Sequence, residues 1–299
     1  MVIARVFGGL GNQLFIYAAA RALALRNHTD LVLDTKSGFG EDRLFHRAFL
    51  LDHFNVRYVP VSPHNLLLRP ALAGRLTRAV VRRVNRALPW PRRFYFTDNA
   101  TFFDERILFL GSKQKRIYLD GYWQNEAYFH DHATTLRDEL TLTTEPTGIS
   151  MSLAKKMASC DSVAVHYRTL VGKRNDKRNI GRLPRPYYES CFRALRARLT
   201  NPHLFLFADS DSAFDQPFTA GLPYTCVTHN HSADRPYEDL WLMSQCKHHI
   251  IANSTFSWWG AWLCNNQAKF VFAPELAPTP CELPELLPRW TQTIPWPTR

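Results

Sequence analysis

No run of apolar residues in the 299-residue chain approaches the roughly 18 that a membrane-spanning helix needs, so a helical span is not expected. The opening Met1-Val2-Ile3-Ala4-Arg5-Val6-Phe7 is too short for a secretory leader, and these two shortages make a cytoplasmic protein the expectation. Cysteine is sparse and scattered: Cys160, Cys191, Cys226, Cys246, Cys264 and Cys281 form no C-x-x-C pair and no cluster with histidine at metal-ligand spacing. That pattern argues against a structural zinc site or a disulfide framework, and all six are read as reduced core thiols. Acidic residues are missing where basic ones crowd. Residues 69 to 93 hold eight arginines and no acid, and residues 168 to 185 hold seven bases against Asp176. Together these segments carry more than the chain's net charge of +11, which leaves the remainder slightly acidic. Charge so localised points to anionic partners at two places and away from a general nucleic-acid coat.

What is plentiful is hydrophobic side chain, 45% of the residues, enough for two medium domains each with its own core. Residues 1 to 7 read as an apolar strand, Gly8 to Gly11 as a tight turn, Gln13 to Arg26 as a buried Ala/Leu-rich helix, and Leu31 to Asp34 as a second strand. A parallel pair of strands requires such a crossover helix, so the chain opens on a βαβ unit. Residues 35 to 68 carry little pattern. Over 71 to 88, Leu72, Leu76, Val80, Val84 and Leu88 recur every four positions, while Arg75, Arg78, Arg82 and Arg86 form a separate stripe. This is an amphipathic basic helix, read either as a solvated surface helix or as one lying on an anionic membrane face. Ile117 to Gln124 reads as a strand, and residues 141 to 152 as the linker between a domain over 1–150 and another over 151–299. In the second half, strands are expected at Ser162 to Tyr167, His203 to Ala208, His248 to Ala252 and Lys269 to Phe272. Helices over Pro186 to Leu199 and Pro236 to Cys246 alternate with them, which predicts a second Rossmann-like unit.

Three of these strands end in polar residues: His166-Tyr167-Arg168, Asp209-Ser210-Asp211 and Asn253-Ser254-Thr255. In an open parallel sheet that edge is where ligands bind. A guanidinium beside a helix start suits a diphosphate, since Arg168 can make paired charge-assisted hydrogen bonds and the helix N–H groups add more. Ser254 or Thr255 would cap the helix over Phe256 to Leu263. Asp209, acceptor-only when ionised, could take hydrogen bonds from a guanine edge or a ribose hydroxyl. Singly, a strand-end Asp is often only a helix cap, and Ser-Thr before a helix is a cap more often than a phosphate site; together on one sheet edge they are harder to dismiss. A rival reading comes from the first turn, because Gly9-x-Gly11 followed by Asp34 imitates a dinucleotide fingerprint. Leu14 stands where the third glycine of that fingerprint belongs.

Several of these segments resemble the α-1,2-fucosyltransferases of bacteria and animals, the bacterial members being of the glycosyltransferase family 11 type. Gly8-Gly9-Leu10-Gly11-Asn12-Gln13, with Leu14-Phe15 and Tyr17-Ala18, is similar to the family's opening. Asp120-Gly121-Tyr122-Trp123-Gln124 with Tyr128-Phe129 is similar to its mid-chain segment, and His166-Tyr167-Arg168 to its H-x-R motif. The longest likeness runs from Met243 to His248 and from Ile250 to Trp262. The resemblance implies an α/β fold of the GT-B type, with two Rossmann-like lobes whose parallel sheets face a central cleft. The N-terminal lobe would be the acceptor side and the C-terminal lobe would bind GDP-fucose. It further implies inverting transfer from GDP-β-L-fucose to a galactose-terminated oligosaccharide or glycolipid in O-antigen or surface-glycan synthesis, with no metal and no cofactor. Asp209-Ser210-Asp211 is only superficially a D-x-D metal site.

Carried over residue by residue, the resemblance gives Arg168 the β-phosphate, Asp209 the guanine, and Ser254, Thr255 and Phe256 phosphate contacts. Gly9, Gly11, Gln13, His166 and Asn253 join them on the donor side, and Asn12 is expected at the reaction centre. The family usually continues H-x-R with Arg-Gly-Asp, where this chain has Thr169-Leu170-Val171-Gly172, so Lys173, Arg174 or Arg178 would supply the missing charge. Tyr122, Trp123 and Gln124 are candidates for an acceptor platform, although aromatic residues at a strand end are more often core. Asp176, Glu41, Glu126 and His46 all remain candidates for a general base. Two other classes stand beside this one: a nicotinamide-dependent oxidoreductase, and a non-catalytic basic protein binding membrane or RNA. Neither accounts for Asn253 to Trp262, so GDP-fucose and a galactose-terminated glycan are the partners expected, with no nucleic acid, in the cytoplasm. An anionic surface at the inner membrane, met through 71–88, stands as the alternative to a solvated helix there.

Overall fold

The computed structural model describes residues 1–40, 42, 45–60, 75–98, 103–111, 114, 116–168, 183–208, 217–230, 235–275 and 291–294. It divides into two compact units, Met1–Thr143 and Thr144–Arg299. Both are α/β with wholly parallel sheets among the described residues.

The first unit contains β1 (Val2–Arg5), α1 (Leu10–Arg26), β2 (Leu31–Asp34), β3 (Val59–Pro60), α2 (Arg75–Ala87), β4 (Tyr95–Thr97), β5 (Ile117–Asp120) and α3 (Ala133–Glu139). Its strand order is β3-β2-β1-β5-β4. β1, β2 and β5 are buried along their whole length, as strands covered on both faces must be. α1 begins at Leu10, a turn earlier than the composition suggests, because the extended Gly9 serves as its cap residue. It is buried on nearly every side, and its alanines let the sheet approach closely. Tyr17 donates to Glu139 over 2.6 Å and Arg21 pairs with the same carboxylate at 2.7 Å, which ties α1 to α3. β5 ends at Asp120, short of the expected Gln124, because Trp123 takes a left-handed φ of 55° and turns the chain out of the sheet.

The second unit contains α4 (Gly148–Ala158), β6 (Asp161–Tyr167), α5 (Arg185–Arg196), β7 (Pro202–Ala208), β8 (Tyr224–Cys226), α6 (Pro236–Gln245), β9 (His248–Ile250), α7 (Thr255–Leu263), β10 (Val271–Pro274) and β11 (Gln292–Ile294). The strand order is β11-β10-β9-β6-β7-β8. Part of the segment expected as linker is therefore α4, whose first turn is capped by Thr147 accepting from Ser150 N. Alternation along the strands builds two cores. Val163, Val165, Leu204 and Leu206 pack with Tyr187, Cys191 and Leu195 of α5. Ala164, Phe205 and Phe207 pack with Met157 of α4 and with Leu242 and Met243 of α6. In α7, Trp258, Trp259 and Trp262 are each no more than 1% exposed. That helix comes so close to α6 that a Cβ on Gly260 would lie 2.7 Å from Met243 Cβ.

Candidate functional site

The chain leaves β6 outward through β7 and β8, then returns to β9 beside β6 and moves the other way through β10 and β11. Where strand order reverses, loops from neighbouring strands diverge and open a crevice at their carboxyl ends. Arg168 is the first residue after β6, and Asn253-Ser254 lead from β9 into α7. The Arg168 Nη1 donates to the Asn253 carbonyl over 2.7 Å, which holds the guanidinium beside the first turn of α7. Ser254 is that helix's cap, extended, with its Oγ accepting from Phe256 N at 3.3 Å. No acid lies in the first turn of that helix, where the positive end of its dipole falls. Thr255 opens the helix, and the Phe256 ring lies 6.1 Å from that of His166, which is buried at the end of β6. Two tyrosines of α5 brace the main chain on either side of the reversal. Tyr188 donates to His166 O at 3.0 Å and Tyr187 to Ile251 O at 2.6 Å. A cationic fork and an N-terminal helix turn held side by side are the groups that a diphosphate or a comparable anion would need.

The first unit has its own reversal, between β1 and β5. There Gly8 takes φ 83°, and a Cβ on it would meet Asn12 Nδ2 at 3.1 Å and Tyr122 Cε1 at 3.2 Å. Asn12 accepts from Gln124 Nε2 at 2.8 Å, and Tyr122 lies 4.6 Å from the Phe7 ring. Asn12, Tyr122 and Gln124, far apart in sequence, are thus neighbours at one sheet edge. Gln13 is fully buried and spends its amide on main chain, donating to Gly8 O and Ala48 O and accepting from Leu50 N. Gly9 and Gly11 lie in the same turn. The Trp123 ring is 1% exposed and edge-on to Tyr128, which makes it part of the packing behind this edge.

Next to this edge is a cavity of about 470 Å³ lined by Arg82, Arg86, Thr97, Asp98 and Asp120. The sequence carries no signal for it, because nothing in the spacing of Thr97-Asp98 marks the end of a three-residue strand. Asp120 is paired with Arg5 at 3.2 Å and Arg82 at 2.6 Å and accepts from the Tyr95 hydroxyl. Burial alone would raise its pKa, but Tyr95, Arg82 and Arg5 outweigh it and hold the carboxyl below its ordinary value. Asp120 is therefore an anchored anion and not a poised proton acceptor.

Of the other expected residues, Asp209, Ser210, Asp211, Asp176, Glu41, Lys173, Arg174, Arg178 and Cys281 lie outside the described residues. Glu126 opens a short 3₁₀ turn 3.9 Å from His130, and His46 is an exposed loop residue with φ 47°. Asp34, on which the dinucleotide reading depends, accepts from the main-chain N–H groups of Lys36 and Ser37 and so closes its own turn. Among the described residues no group of three His, Cys, Asp or Glu side chains could hold a metal ion. Cys191, Cys246 and Cys264 are buried free thiols, whereas Cys160 and Cys226 are only partly covered and so are not wholly core.

A family model described as Glycosyl transferase family 11 matches residues 1–291. The chain is similar to an α-1,2-colitosyltransferase of Escherichia coli, 30% identical over 284 residues that cover 92% of this chain and 91% of that protein. It is also similar to the O-antigen biosynthesis glycosyltransferase WbnK of Escherichia coli, 28% identical with coverages of 89% and 91%. Among solved structures it resembles FUT1 of Arabidopsis thaliana in complex with GDP, with a TM-score of 0.53, 14% identity, and coverages of 92% and 70%. NodZ α-1,6-fucosyltransferase soaked with GDP-fucose gives a TM-score of 0.53, 17% identity, and coverages of 88% and 91%. At those identities the likeness is one of fold, the GT-B type.

Proposed function

The chain belongs to glycosyl transferase family 11 and is a glycosyltransferase, and from that premise we propose that it transfers L-fucose from GDP-β-L-fucose, with inversion, to the 2-hydroxyl of a galactose-terminated glycan. The observation that carries this reading is Arg168 held on the Asn253 carbonyl at the start of α7, where a nucleoside diphosphate would set its phosphates. It is supported by the GDP and GDP-fucose complexes among the proteins of like fold, and by the α-1,2 linkage in the name of the colitosyl relative. The name of the WbnK relative supports O-antigen as the setting. No helix among the described residues is long and apolar enough to cross a membrane.

In the reaction proposed, the acceptor oxygen bonds to the sugar's anomeric carbon from the face opposite GDP. The bond from that carbon to the β-phosphate oxygen breaks with its electron pair going to the phosphate, and the acceptor's proton is lost to solvent or a base. Negative charge then grows on the β-phosphate, and an Arg168 guanidinium preorganised beside helix N–H groups stabilises it more in the transition state than in the ground state. In the metal-independent form of the reaction this charge falls wholly to protein donors. On the donor side we assign Arg168, His166, Asn253, Ser254, Thr255 and Phe256, with Asp209 on the guanine. Asn12, Tyr122 and Gln124 are assigned to the acceptor side.

One observation favours a second reading, the 30% identity to a colitosyltransferase. Colitose is L-fucose without its 3-hydroxyl, so the same diphosphate site could serve GDP-colitose. Incubation of the protein with each donor and a β-galactoside, followed by NMR of the product, separates the two. An α-1,2-fucosyl product bears out the first reading. Transfer from GDP-colitose alone replaces it with the second, and no transfer from either by folded protein overturns both.

A further inference from the structure

Helix α2 turns Val81 and several polar residues to the protein, Val81 packing against the cluster of Ile3, Val32, Tyr95 and Tyr118, and leaves its other aliphatic row to solvent. Asn85, 4% exposed, donates to Tyr95 O at 2.6 Å and accepts from the main-chain N–H groups of Phe94 and Tyr95, which fixes that side of the helix on β4. Arg78 is likewise buried, and Arg82 reaches Asp120 at 2.6 Å. The outward row is Leu76, Val80 and Val84, exposed by 84%, 62% and 57%. At four-residue spacing these lie on one stripe, with the exposed Ala79, Arg83 and Ala87 beside it.

An aliphatic row left in water on a helix is the mark of an interaction surface. The charge around it selects the partner. Residues 69 to 93 carry eight arginines and no acid; Arg83 and Arg86 are exposed on the helix and Arg92 in the turn that follows it. Pairing with a second copy would oppose two cationic faces, and a nucleic acid would engage the arginines while leaving the aliphatic row wet. An anionic bilayer satisfies both sets at once, the aliphatic groups sinking to the acyl boundary and the guanidiniums staying among the phosphates. We propose that α2 docks this protein peripherally on an anionic lipid surface through Leu76, Val80 and Val84. The inference stands apart from the donor assignment. If the glycosyl acceptor is lipid-borne, the same helix also meets it, since Arg82 and Arg86 form a wall of the 470 Å³ cavity.

Sedimentation of the full chain with phosphatidylcholine vesicles, with and without phosphatidylglycerol, tests this. Binding is expected only with the anionic lipid, and weaker in high salt. The variant L76S/V80S/V84S should lower partitioning by on the order of a hundredfold or more, since each methylene sunk at the boundary contributes roughly a factor of four. R83E/R92E should lower it by at least on the order of thirtyfold, the effect of losing two arginines, and further through the two carboxylates added. Both variants should keep the wild-type thermal midpoint, because the side chains changed face solvent. The proposal is overturned if the wild type ignores phosphatidylglycerol, or if the serine variant binds as well as wild type. It is also overturned if the serine variant instead dissolves a dimer, or if RNA competes fully and only R83E/R92E loses binding.

Discussion

Arg168 is the residue on which most depends, and its chemistry is not that of charge alone. A guanidinium anchored by one nitrogen on Asn253 O is oriented before a ligand arrives, whereas a lysine ammonium is a point charge on a flexible aliphatic stem. Arg168→Ala is expected to raise the barrier to transfer by about 2–4 kcal/mol, the usual cost of losing a preorganised charge-stabilising donor. Arg168→Lys should recover only part of that rate, and kcat/KM on the donor is the measurement that compares them. At this scale the sequence is informative where a strand end coincides with a polar residue, as at Arg168 and Ser254. It is mute where a side chain's role is set by distant partners. Nothing in Gln13 announces that its amide is consumed by three main-chain groups, and nothing in Gln124 that it will meet Asn12.

Elements show a similar division. β6, β7 and α6 are legible to within a few residues because they are regular and bounded by Pro or charge, but β3, β4, β8 and β11 are too short to carry a period. For α2 the periodicity identifies the helix and its two stripes yet not which stripe faces inward. That choice is made by Asn85 satisfying the β4 edge, by Arg82 satisfying Asp120 and by Val81 packing against Ile3, Val32 and Tyr118, partners outside the helix that its own period does not contain. In α7, two substitutions separate capping from packing. Ser254→Ala removes the cap acceptor and should cost about 1 kcal/mol in urea unfolding. Gly260→Ala should cost more, about 1–3 kcal/mol, because the new methyl meets Met243 Cβ at a distance that real contacts do not show. Equal stability of the Gly260→Ala protein and wild type would mean that α6 and α7 are not held this close.

At the scale of the whole molecule, two parallel sheets each reverse strand order once, and the candidate groups stand at those two reversals. The same burial that builds the sheets makes stability depend on pH. His249, inside β9 and 1% exposed, is held down to about 3 by burial, with the Lys269 and His248 charges adding to it. Its unfolded value is the ordinary 6.5. Below pH 6.5 the unfolded chain therefore takes up a proton that the folded one refuses. Stability present above that pH falls on acidification by up to about 1.4 kcal/mol per pH unit. His203 and His248, also lowered by burial, steepen the same limb, while Asp120 adds its loss only as pH passes below the ordinary carboxylate range. Urea midpoints of His249→Phe should fall less steeply than those of wild type between about pH 6.5 and 4, and an unchanged slope would remove His249 as a cause.

The central claim, that the β6–β9 reversal binds the diphosphate of a guanosine nucleotide, is tested most directly by calorimetric titration of GDP into wild type and Arg168→Ala. One site is expected in the wild type, weakened in the folded variant by about 2 kcal/mol, roughly thirtyfold, as for a hydrogen bond to a charged group. Equal GDP affinity in the two proteins, or no GDP binding by wild type, would contradict it.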